Sequence, residues 1–314
     1  MNPSTTPTVA ILLCTYNGQR YLRDQLDSVA AQTYPHWVMW ASDDGSQDDT
    51  LSILAEYRAK WSQERLSVVH GPSSGFAANF LSLACNPSIQ ADYYAFCDQD
   101  DIWDSDKLQR AVNWLSSVPA NIPALYGSRM HLVDENNIGV SLSPLFTRQP
   151  CFVHSLTQNF ANGNTMVFNH AACNLLRTVG HSVTAVAHDW WLYLLVAGAG
   201  GNVFYDSRAY LRYRQHSTNL IGMETHWLTR MLRLQTVRAV WQGKFRNGND
   251  GQLRSLMCNR GILAPRNQQL LDKFFRARSR WLLPRLLGFW QVGIYREPLW
   301  SHLGLIAAAL LKKI

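Results

Sequence analysis

Apolar runs alternate with amphipathic segments along roughly the first third of the chain. Continuous apolar runs predict buried strands at residues 9–14, 37–41, 66–70 and 93–97. Between them, apolar residues recur at helical spacing over residues 21–32, 50–60 and 75–83. Strands that alternate with helices favour right-handed βαβ units, so the pattern predicts an α/β fold with a mostly parallel sheet flanked by helices.

The remainder of the chain has a less regular pattern. Short strands are predicted at residues 166–168 and 203–205, and Asp189 begins an apolar helix over residues 190–197. Beyond His226 the spacing is typical of basic amphipathic helices. We therefore expect an α/β domain over residues 1–222 and a basic helical region over residues 223–314.

Clusters of polar residues end three of the four early strands. The clusters are Thr15-Tyr16-Asn17, Asp43-Asp44 and Asp98-Gln99-Asp100-Asp101. In parallel α/β sheets the ligand lies beyond the carboxyl ends of the strands. The clusters therefore predict a single ligand site at that edge of the sheet.

The third cluster has the chemistry of a metal site. Asp98, Asp100 and Asp101 would repel one another unless a cation neutralises them. Hard divalent ions take oxygen ligands, usually one or two carboxylates together with substrate phosphates. The alternative interpretation is an acidic surface loop that caps a helix starting at Ser105, because Asp104 is also acidic.

Charge divides the chain into two parts. From His226 to Ile314 there are 16 Lys/Arg and 3 Asp/Glu, whereas the remaining residues hold 13 Lys/Arg and 19 Asp/Glu. A basic tail with interleaved Trp and Leu is typical of an interfacial helix on anionic lipid. It also fits helices that pack on the first domain, or a nucleic-acid surface. We favour the membrane surface and expect no nucleic-acid partner.

The cysteines and the N-terminus predict the compartment. Six dispersed cysteines without a C-x-x-C pair are typical of reduced thiols. The first residues lack a basic segment and a long apolar run, so no signal peptide is expected. No stretch reaches the roughly 18 apolar residues that cross a bilayer. We expect a cytoplasmic protein, peripheral on the inner face of the plasma membrane.

Three motifs, in this order along the chain, resemble family 2 of the inverting glycosyltransferases. They are Val9-Ala-Ile-Leu-Leu-Cys-Thr-Tyr-Asn-Gly18, Ala41-Ser-Asp-Asp-Gly-Ser-Gln-Asp48 and Phe96-Cys-Asp-Gln-Asp-Asp-Ile-Trp103. The resemblance covers residues 8–222 and implies a GT-A fold, a nucleotide-diphosphate sugar donor and Mg²⁺ or Mn²⁺ as cofactor. Together with Tyr213-Arg-Gln-His-Ser-Thr-Asn-Leu-Ile-Gly222, the third motif looks most like bacterial rhamnosyltransferases of surface-polysaccharide synthesis.

The resemblance implies roles for the first two clusters. Thr15, Tyr16 and Asn17 would line the nucleotide pocket. Asp44 would accept the N3–H of a pyrimidine, with Asp43 as its competitor for that role. The alternative for this acidic pair is a turn and helix cap.

Four further positions follow from the same resemblance. Asp98 would contact the ribose and the metal, and Asp100 would bind the metal. Asn79 would lie near the nucleotide, unless it is simply a polar residue on a helix surface. His216 would add a metal ligand or a diphosphate contact, and Arg214 would bind the donor and stabilise the charge of the leaving group.

Inverting transfer also needs a base for the acceptor hydroxyl. The family places its catalytic carboxylate just before an apolar helix, as Glu-Asp, and this chain has His188-Asp189 there. Asp189 is therefore the expected base, and we expect helix N–H donors to orient it and to lower its pKa. The loop at residues 163–166 would shape the acceptor site, unless it is a plain β-turn.

The sequence thus predicts transfer of L-rhamnose from dTDP-L-rhamnose onto a lipid-linked glycan acceptor. One alternative keeps this chemistry with a UDP-galactose or UDP-N-acetylglucosamine donor. Nucleotidyl transfer is less consistent, because no glycine- and lysine-rich phosphate loop follows the first strand. A non-catalytic glycan- or membrane-binding protein on a transferase fold is the remaining alternative.

Overall fold

The structure, a computed structural model, describes residues 6–216 and 244–312. A nine-stranded sheet runs through the described residues in the order β3-β2-β1-β4-β8-β6-β9-β5, and β7 pairs with β6. The strands are β1 (Val9–Thr15), β2 (Trp37–Asp43), β3 (Leu66–His70), β4 (Tyr93–Cys97), β5 (Ile102–Trp103), β6 (Ala124–Val133), β7 (Gly139–Leu142), β8 (Val167–Asn169) and β9 (Asn202–Arg214). The helices before the gap are α1 (Leu22–Ala30), α2 (Thr50–Trp61), α3 (Phe76–Cys85), α4 (Lys107–Leu115), α5 (Phe152–Ser155), α6 (His170–Val179) and α7 (His188–Gly198). Those after it are α8 (Lys244–Cys258), α9 (Pro265–Ser279), α10 (Leu282–Val292) and α11 (Leu299–Leu310).

The first four strands are parallel, as the sequence predicts. β1 lies between β2 and β4, and β3 pairs with β2. Every residue of β1 is buried, because helices cover both faces of the sheet. Complete burial of Leu12 and Leu13 stabilises the fold by about 2 kcal/mol each.

The other half of the sheet is mixed. β8 pairs antiparallel with β4 and β6, whereas β6 and β9 are parallel to each other. The short strand expected at residues 203–205 is the start of a 13-residue strand. β6 was not predicted, since Ser128, Arg129 and His131 interrupt its apolar pattern. The structure accommodates Arg129 because its Nε and Nη2 donate to Ser143 O at 3.0 and 2.7 Å.

Alternate residues of β1 point to two separate hydrophobic layers. Ile11 and Leu13 pack with the side that contains α1, α2 and α4. Ala10 and Leu12 pack with the side that contains α3, α6 and α7. The second layer also receives the C-terminal helices, through residues such as Leu256, Leu271, Phe274 and Phe289.

The C-terminal helical region is confirmed, and it shares its core with the sheet. Gly198 at the end of α7 permits this close approach, since a Cβ there would lie 2.6 Å from Leu263 Cδ2. The predicted domain boundary at residue 222 lies outside the described residues. In the described ranges, no helix has both the length and the apolar character needed to cross a bilayer. All six cysteines are free thiols, and Cys14, Cys97 and Cys173 are buried.

Candidate active site

The three polar clusters meet at one edge of the sheet because their strands are parallel and in register. Thr15 is the partner of Asp43, and Leu13 is the partner of Cys97, the residue before Asp98. The end of β9 reaches the same edge, where Arg214 Nε donates to Asp100 O at 3.1 Å.

The turn after β1 is fixed by hydrogen bonds to neighbouring loops. Asn17 adopts a left-handed backbone (φ 48°), its N–H donates to Ser46 Oγ, and its Oδ1 accepts from Gln47 N–H. Gln99 binds the backbone N–H and C=O of Tyr16 at 2.8 and 2.9 Å. These bonds hold Tyr16 with its side chain 58% exposed, so that the ring presents an open face at the site.

Asp43 and Asp44 differ sharply in their surroundings. Asp43 is buried and accepts from Thr15 Oγ1, the N–H groups of Gly45 and Ser46, and Ser46 Oγ, at 2.5–3.1 Å. This carboxylate organises the turn. Asp44 is only partly buried and accepts from two backbone N–H groups, of residues 73 and 75. Each of its oxygens keeps a further lone pair for a ligand.

Asn79 is buried, which excludes the helix-surface interpretation. Its Oδ1 accepts from Ser42 Oγ at 2.6 Å, and its Nδ2 donates to Ser42 O at 3.1 Å. An added Cβ at Gly71 would lie 2.6 Å from Asp44 Oδ1 and 2.8 Å from Asn79 Oδ1. Asn79 therefore stabilises the end of β2 close to Asp44. We expect it to influence nucleotide binding only indirectly, by holding that strand end in place.

The third cluster concentrates negative charge. Burial, and then the charges of Asp100 and Asp189, raises the pKa of Asp98 to about 8. Asp101 is fully buried and accepts from Asn164 Nδ2 at 2.6 Å, and burial raises its pKa well above the usual range. Asp101 thus supports the loop, whereas Asp98 and Asp100 are only partly buried.

The end of β9 and the two residues after it lie beside Asp100. Arg214 is buried; its Nη2 pairs with Asp24 at 2.8 Å, its Nη1 donates to Glu135 O at 2.9 Å, and its guanidinium lies 4.5 Å from the centre of the Tyr21 ring. These contacts give Arg214 a structural role, and its role in donor binding stays a prediction. His216 Nε2 lies 2.9 Å from Asp100 Oδ2, so this imidazole stands beside the proposed metal carboxylate.

The donor set fits a divalent metal that arrives with its substrate. In the described ranges, no three His, Cys, Asp or Glu side chains are arranged to hold a metal by themselves. Mg²⁺ commonly needs only one or two protein carboxylates, because substrate phosphates complete its shell. The raised pKa of Asp98, caused partly by Asp100, marks a cluster that a cation would stabilise.

Asp189 lies at the first turn of α7, facing the acidic cluster. Its Oδ1 accepts from the N–H of the next residue, Trp190, at 2.6 Å. The helix begins at His188 with Ala187 as its N-cap, so the expectation that Asp189 caps the helix is wrong. The expected lowering of its pKa is wrong: burial outweighs the N–H donors and raises the pKa of Asp189 to about 6. Because its charge contributes to the raised pKa of Asp98, the two carboxyl groups are within electrostatic reach.

The preceding residue, His188, is part of the core. It is buried and stacks on Phe80 at a centroid distance of 3.9 Å, with the edge of Phe96 at 4.5 Å. Neither ring nitrogen has a hydrogen-bond partner among the described residues, and burial lowers the pKa of His188 to about 3. The imidazole is therefore neutral and packs behind Asp189.

The loop at residues 163–166 forms a 3-10 turn at Gly163–Thr165 that joins the two halves of the site. Asn164 binds Asp101, as described above. A Cβ at Gly163 would lie 2.6 Å from His188 Nε2 and 3.2 Å from Asp189 Cβ. The loop is thus a tight turn closed by bonds from Thr165 N–H to Asn162 O and from Met166 N–H to Gly163 O, and a contact of this loop with the acceptor stays a prediction.

A cavity of about 150 Å³ is lined in part by residues 159–162, which directly precede this loop, and the sequence pattern did not reveal it. Asn159 in its wall lies near enough to Asp189 to lower the pKa of that carboxyl, so the cavity is a neighbour of the expected base. The wall combines aromatic rings with amides and hydroxyls: Ser128, Met130, Ser143, Pro144, Phe146, Asn159, Phe160, Ala161, Asn162 and Tyr205.

The layout matches that of a known enzyme family. The family model described as Glycosyl transferase family 2 matches residues 10–178, more than half of the chain. The chain belongs to glycosyl transferase family 2. The dTDP-rhamnosyl transferase RfbG of Shigella flexneri is 26% identical over 243 residues, which cover 74% of this chain and 81% of that protein.

Solved structures confirm the GT-A fold of this family 2 transferase. The TarS 1–349 structure of S. aureus in complex with UDP aligns with a TM-score of 0.54 at 17% identity, over 91% of this chain and 90% of that one. The mannosyltransferase PcManGT of Pyrobaculum calidifontis, in complex with GDP-Man and Mn²⁺, aligns with a TM-score of 0.50 at 17% identity, over 99% and 86% of the two chains.

Proposed function

We propose that this glycosyltransferase moves L-rhamnose from dTDP-L-rhamnose onto a lipid-linked glycan, with inversion, during assembly of a bacterial surface polysaccharide. The observation that carries the proposal is the meeting of the three polar clusters at one edge of the sheet. The turn at Gly163–Thr165 lies between Asp189 and the third cluster, since Asn164 binds Asp101 and a Cβ at Gly163 would lie 3.2 Å from Asp189 Cβ. The similarity to RfbG of Shigella flexneri, a dTDP-rhamnosyl transferase, supports the choice of donor.

The nucleotide would bind along the carboxyl ends of β1 and β2. The exposed ring of Tyr16 offers a stacking face for the pyrimidine, and Asp44 retains lone pairs for its N3–H. Thr15 and Asn17 would shape this pocket through the turn that they stabilise. Asp43 would act only through the same turn, because its hydrogen bonds are made within the protein.

Asp98 and Asp100 would hold Mg²⁺ or Mn²⁺, which neutralises the diphosphate as it leaves. Asp189 would accept the proton of the acceptor hydroxyl. The acceptor oxygen then forms its bond to the anomeric carbon as the bond from that carbon to the diphosphate oxygen breaks, and the diphosphate keeps the electron pair. A base with a pKa of about 6 is ionised at neutral pH and is still basic enough to take this proton.

The cavity beside Asn159 would receive the acceptor sugar. Aromatic rings such as Phe146 and Tyr205 suit the apolar face of a pyranose, and Asn159 and Asn162 suit its hydroxyl groups. Because Asn159 lines the cavity and lies near Asp189, an acceptor hydroxyl at this wall would be near the base.

A thermal-shift panel tests the donor assignment. The full chain is heated with dTDP, dTDP-L-rhamnose, UDP, UDP-galactose or UDP-N-acetylglucosamine, each with Mn²⁺ or with chelator, since a ligand of the native state raises the melting temperature. We expect metal-dependent stabilisation by the dTDP compounds. Stabilisation by UDP compounds alone would discard rhamnose, and no response to any nucleotide would favour a non-catalytic protein.

Turnover with a glycan acceptor tests the mechanism. Asp189→Asn should keep metal-dependent nucleotide binding and lose transfer, while Asp49→Asn, an exposed helix-start carboxyl whose side chain makes no capping bond, should behave as wild type. Transfer by Asp189→Asn at the wild-type rate would refute the base. Analysis of the anomeric configuration of the product would decide between inversion and retention.

A further inference from the structure

Helix α10 exposes an apolar stripe. Leu283, Leu287 and Trp290 follow one another at helical spacing and are 59%, 60% and 80% exposed. The opposite face of the helix is buried through Phe289 and Val292. The helix is therefore docked on the protein and still presents large apolar side chains outward.

Helix α11 repeats this arrangement. Trp300 is 72% exposed, and Leu303, Ile306 and Leu310 continue the exposed stripe while Leu305 is buried. The two helices are fixed to each other by a buried side chain, since Arg285 Nη1 of α10 donates to Ala309 O of α11 at 2.9 Å. Exposed apolar surface on this scale on a soluble domain marks an interaction site.

The sequence around these stripes has a net positive charge. Residues 273–313 contain eight Lys/Arg and one acidic residue, Glu297. Arg278 is paired with Asp250, and Arg285 and Arg296 bind backbone carbonyls inside the protein, whereas four of the basic residues are exposed: Lys273, Arg276, Arg280 and Lys312. The Glu297 carboxylate is already engaged, because it accepts from Thr147 Oγ1 at 2.8 Å and from the N–H groups of residues 147 and 148 at 3.1 and 3.3 Å. The exposed residues Arg280 and Lys312 flank the stripes at their ends.

We propose that α10 and α11 dock on the surface of an anionic lipid bilayer. Trp290 and Trp300 would enter the interface between headgroups and acyl chains, and the flanking basic residues would bind anionic headgroups. We favour a lipid surface over other partners because the exposed apolar stripes are flanked by exposed basic residues. Nucleic acid would leave the stripes without a partner, and a second copy of the chain would bring the same positive charge against itself.

The turn between the two helices connects this face to the cavity. Glu297 N–H donates to Gln158 Oε1 at 2.8 Å, Gln158 Nε2 donates to Glu297 O at 2.7 Å, and Arg296 Nε donates to Thr157 O at 2.7 Å. Residue 158 directly precedes Asn159 in the cavity wall. If the proposed function is correct, membrane docking holds the cavity beside Asn159 close to the lipid headgroups, where the glycan of a lipid-linked acceptor is attached.

Vesicle sedimentation of the full chain tests the docking face. The vesicles contain equal parts of phosphatidylcholine and phosphatidylglycerol, or phosphatidylcholine alone. Trp290→Ser and Trp300→Ser should each weaken binding about tenfold. Arg280→Gln should weaken it about fivefold, and only on the anionic vesicles. The matched control is Ile138→Ser with Val140→Ser, which removes exposed apolar side chains from the β7 hairpin and should leave binding unchanged.

Thermal shifts with dTDP and Mn²⁺ show that each variant is folded, and they report the nucleotide site independently of lipid. Equal vesicle binding by the tryptophan variants and wild type would overturn the docking proposal and leave the proposed function intact. Loss of a dimer in these variants, measured by analytical ultracentrifugation without any change in vesicle binding, would identify the face as a subunit interface instead. The docking proposal would also be overturned if the control variant, Ile138→Ser with Val140→Ser, lost as much vesicle binding as the tryptophan variants.

Discussion

The pH dependence of turnover follows from the burial of Asp189. Its carboxyl must be ionised to accept a proton, and burial raises its pKa to about 6. About a tenth of the enzyme would then carry the active carboxylate at pH 5 and about nine-tenths at pH 7. We therefore expect kcat/KM to rise about tenfold between these pH values and to be flat above pH 7.

The measurement is kcat/KM for the donor, at saturating Mn²⁺, from the rate of dTDP release in the presence of acceptor. This ratio reports groups of the free enzyme, which is the state that the structure describes. Asp189→Asn should lower the rate by about 10²–10⁴-fold and should remove the inflection near pH 6. Asp49→Asn should retain both the rate and the inflection.

Two results would refute this reasoning. An inflection near pH 4 would mean that the N–H donor at the start of α7 outweighs burial at Asp189. An inflection that persists in Asp189→Asn would assign the titration to another group of the site.

Three further predictions test the assignments of individual residues. Asp100→Asn should abolish the extra thermal stabilisation that Mn²⁺ gives to bound dTDP, because a metal carboxylate is lost; equal shifts in both proteins would remove Asp100 from the metal site. Asp43→Ala should lower the free energy of unfolding by about 2–3 kcal/mol, since the donors buried around this carboxylate lose their acceptor. Asp44→Ala should instead weaken dTDP binding, measured by calorimetry, about tenfold. Weaker binding in Asp43→Ala together with lower stability in Asp44→Ala would exchange the two roles. Gly163→Ala should lower kcat about tenfold or more with a nearly unchanged donor KM, because the added Cβ would lie 2.6 Å from His188 Nε2, beside the expected base. Unchanged kinetics would show that the loop can shift to accommodate the Cβ without displacing Asp189.

The sequence predicts those parts of the fold whose local pattern reflects their burial. β1 to β4 are covered by helices and read as apolar runs. β6 could not be found in this way, because Arg129 in its middle is satisfied by Ser143, which folds back beside it only through the pairing of β6 with β7. The length of β9 depends on its pairing with β6, which no local pattern encodes.

The location of the candidate site was predictable from the polar clusters at the strand ends. The sequence predicts where Asp98 and Asp100 lie because they directly follow a buried strand, whereas the role expected of Asp189 came from the family resemblance; these roles stay predictions. Asp43 and Asp44 could not be separated, since adjacent residues share one motif and only their hydrogen bonds distinguish them. The cavity was missed because its walls come from segments far apart in the chain.

The bonding of residues 295–297 to residues 157–158 bears on how such enzymes can be recombined. A chimera that exchanged only the C-terminal helices of two relatives would separate Glu297 from Thr147 and from Gln158. The hydrogen-bonding groups on the two sides of this contact would then no longer match. The smallest transplantable unit is therefore discontinuous. Grafting a different acceptor preference onto this scaffold would require residues 147–158 to travel together with the two terminal helices.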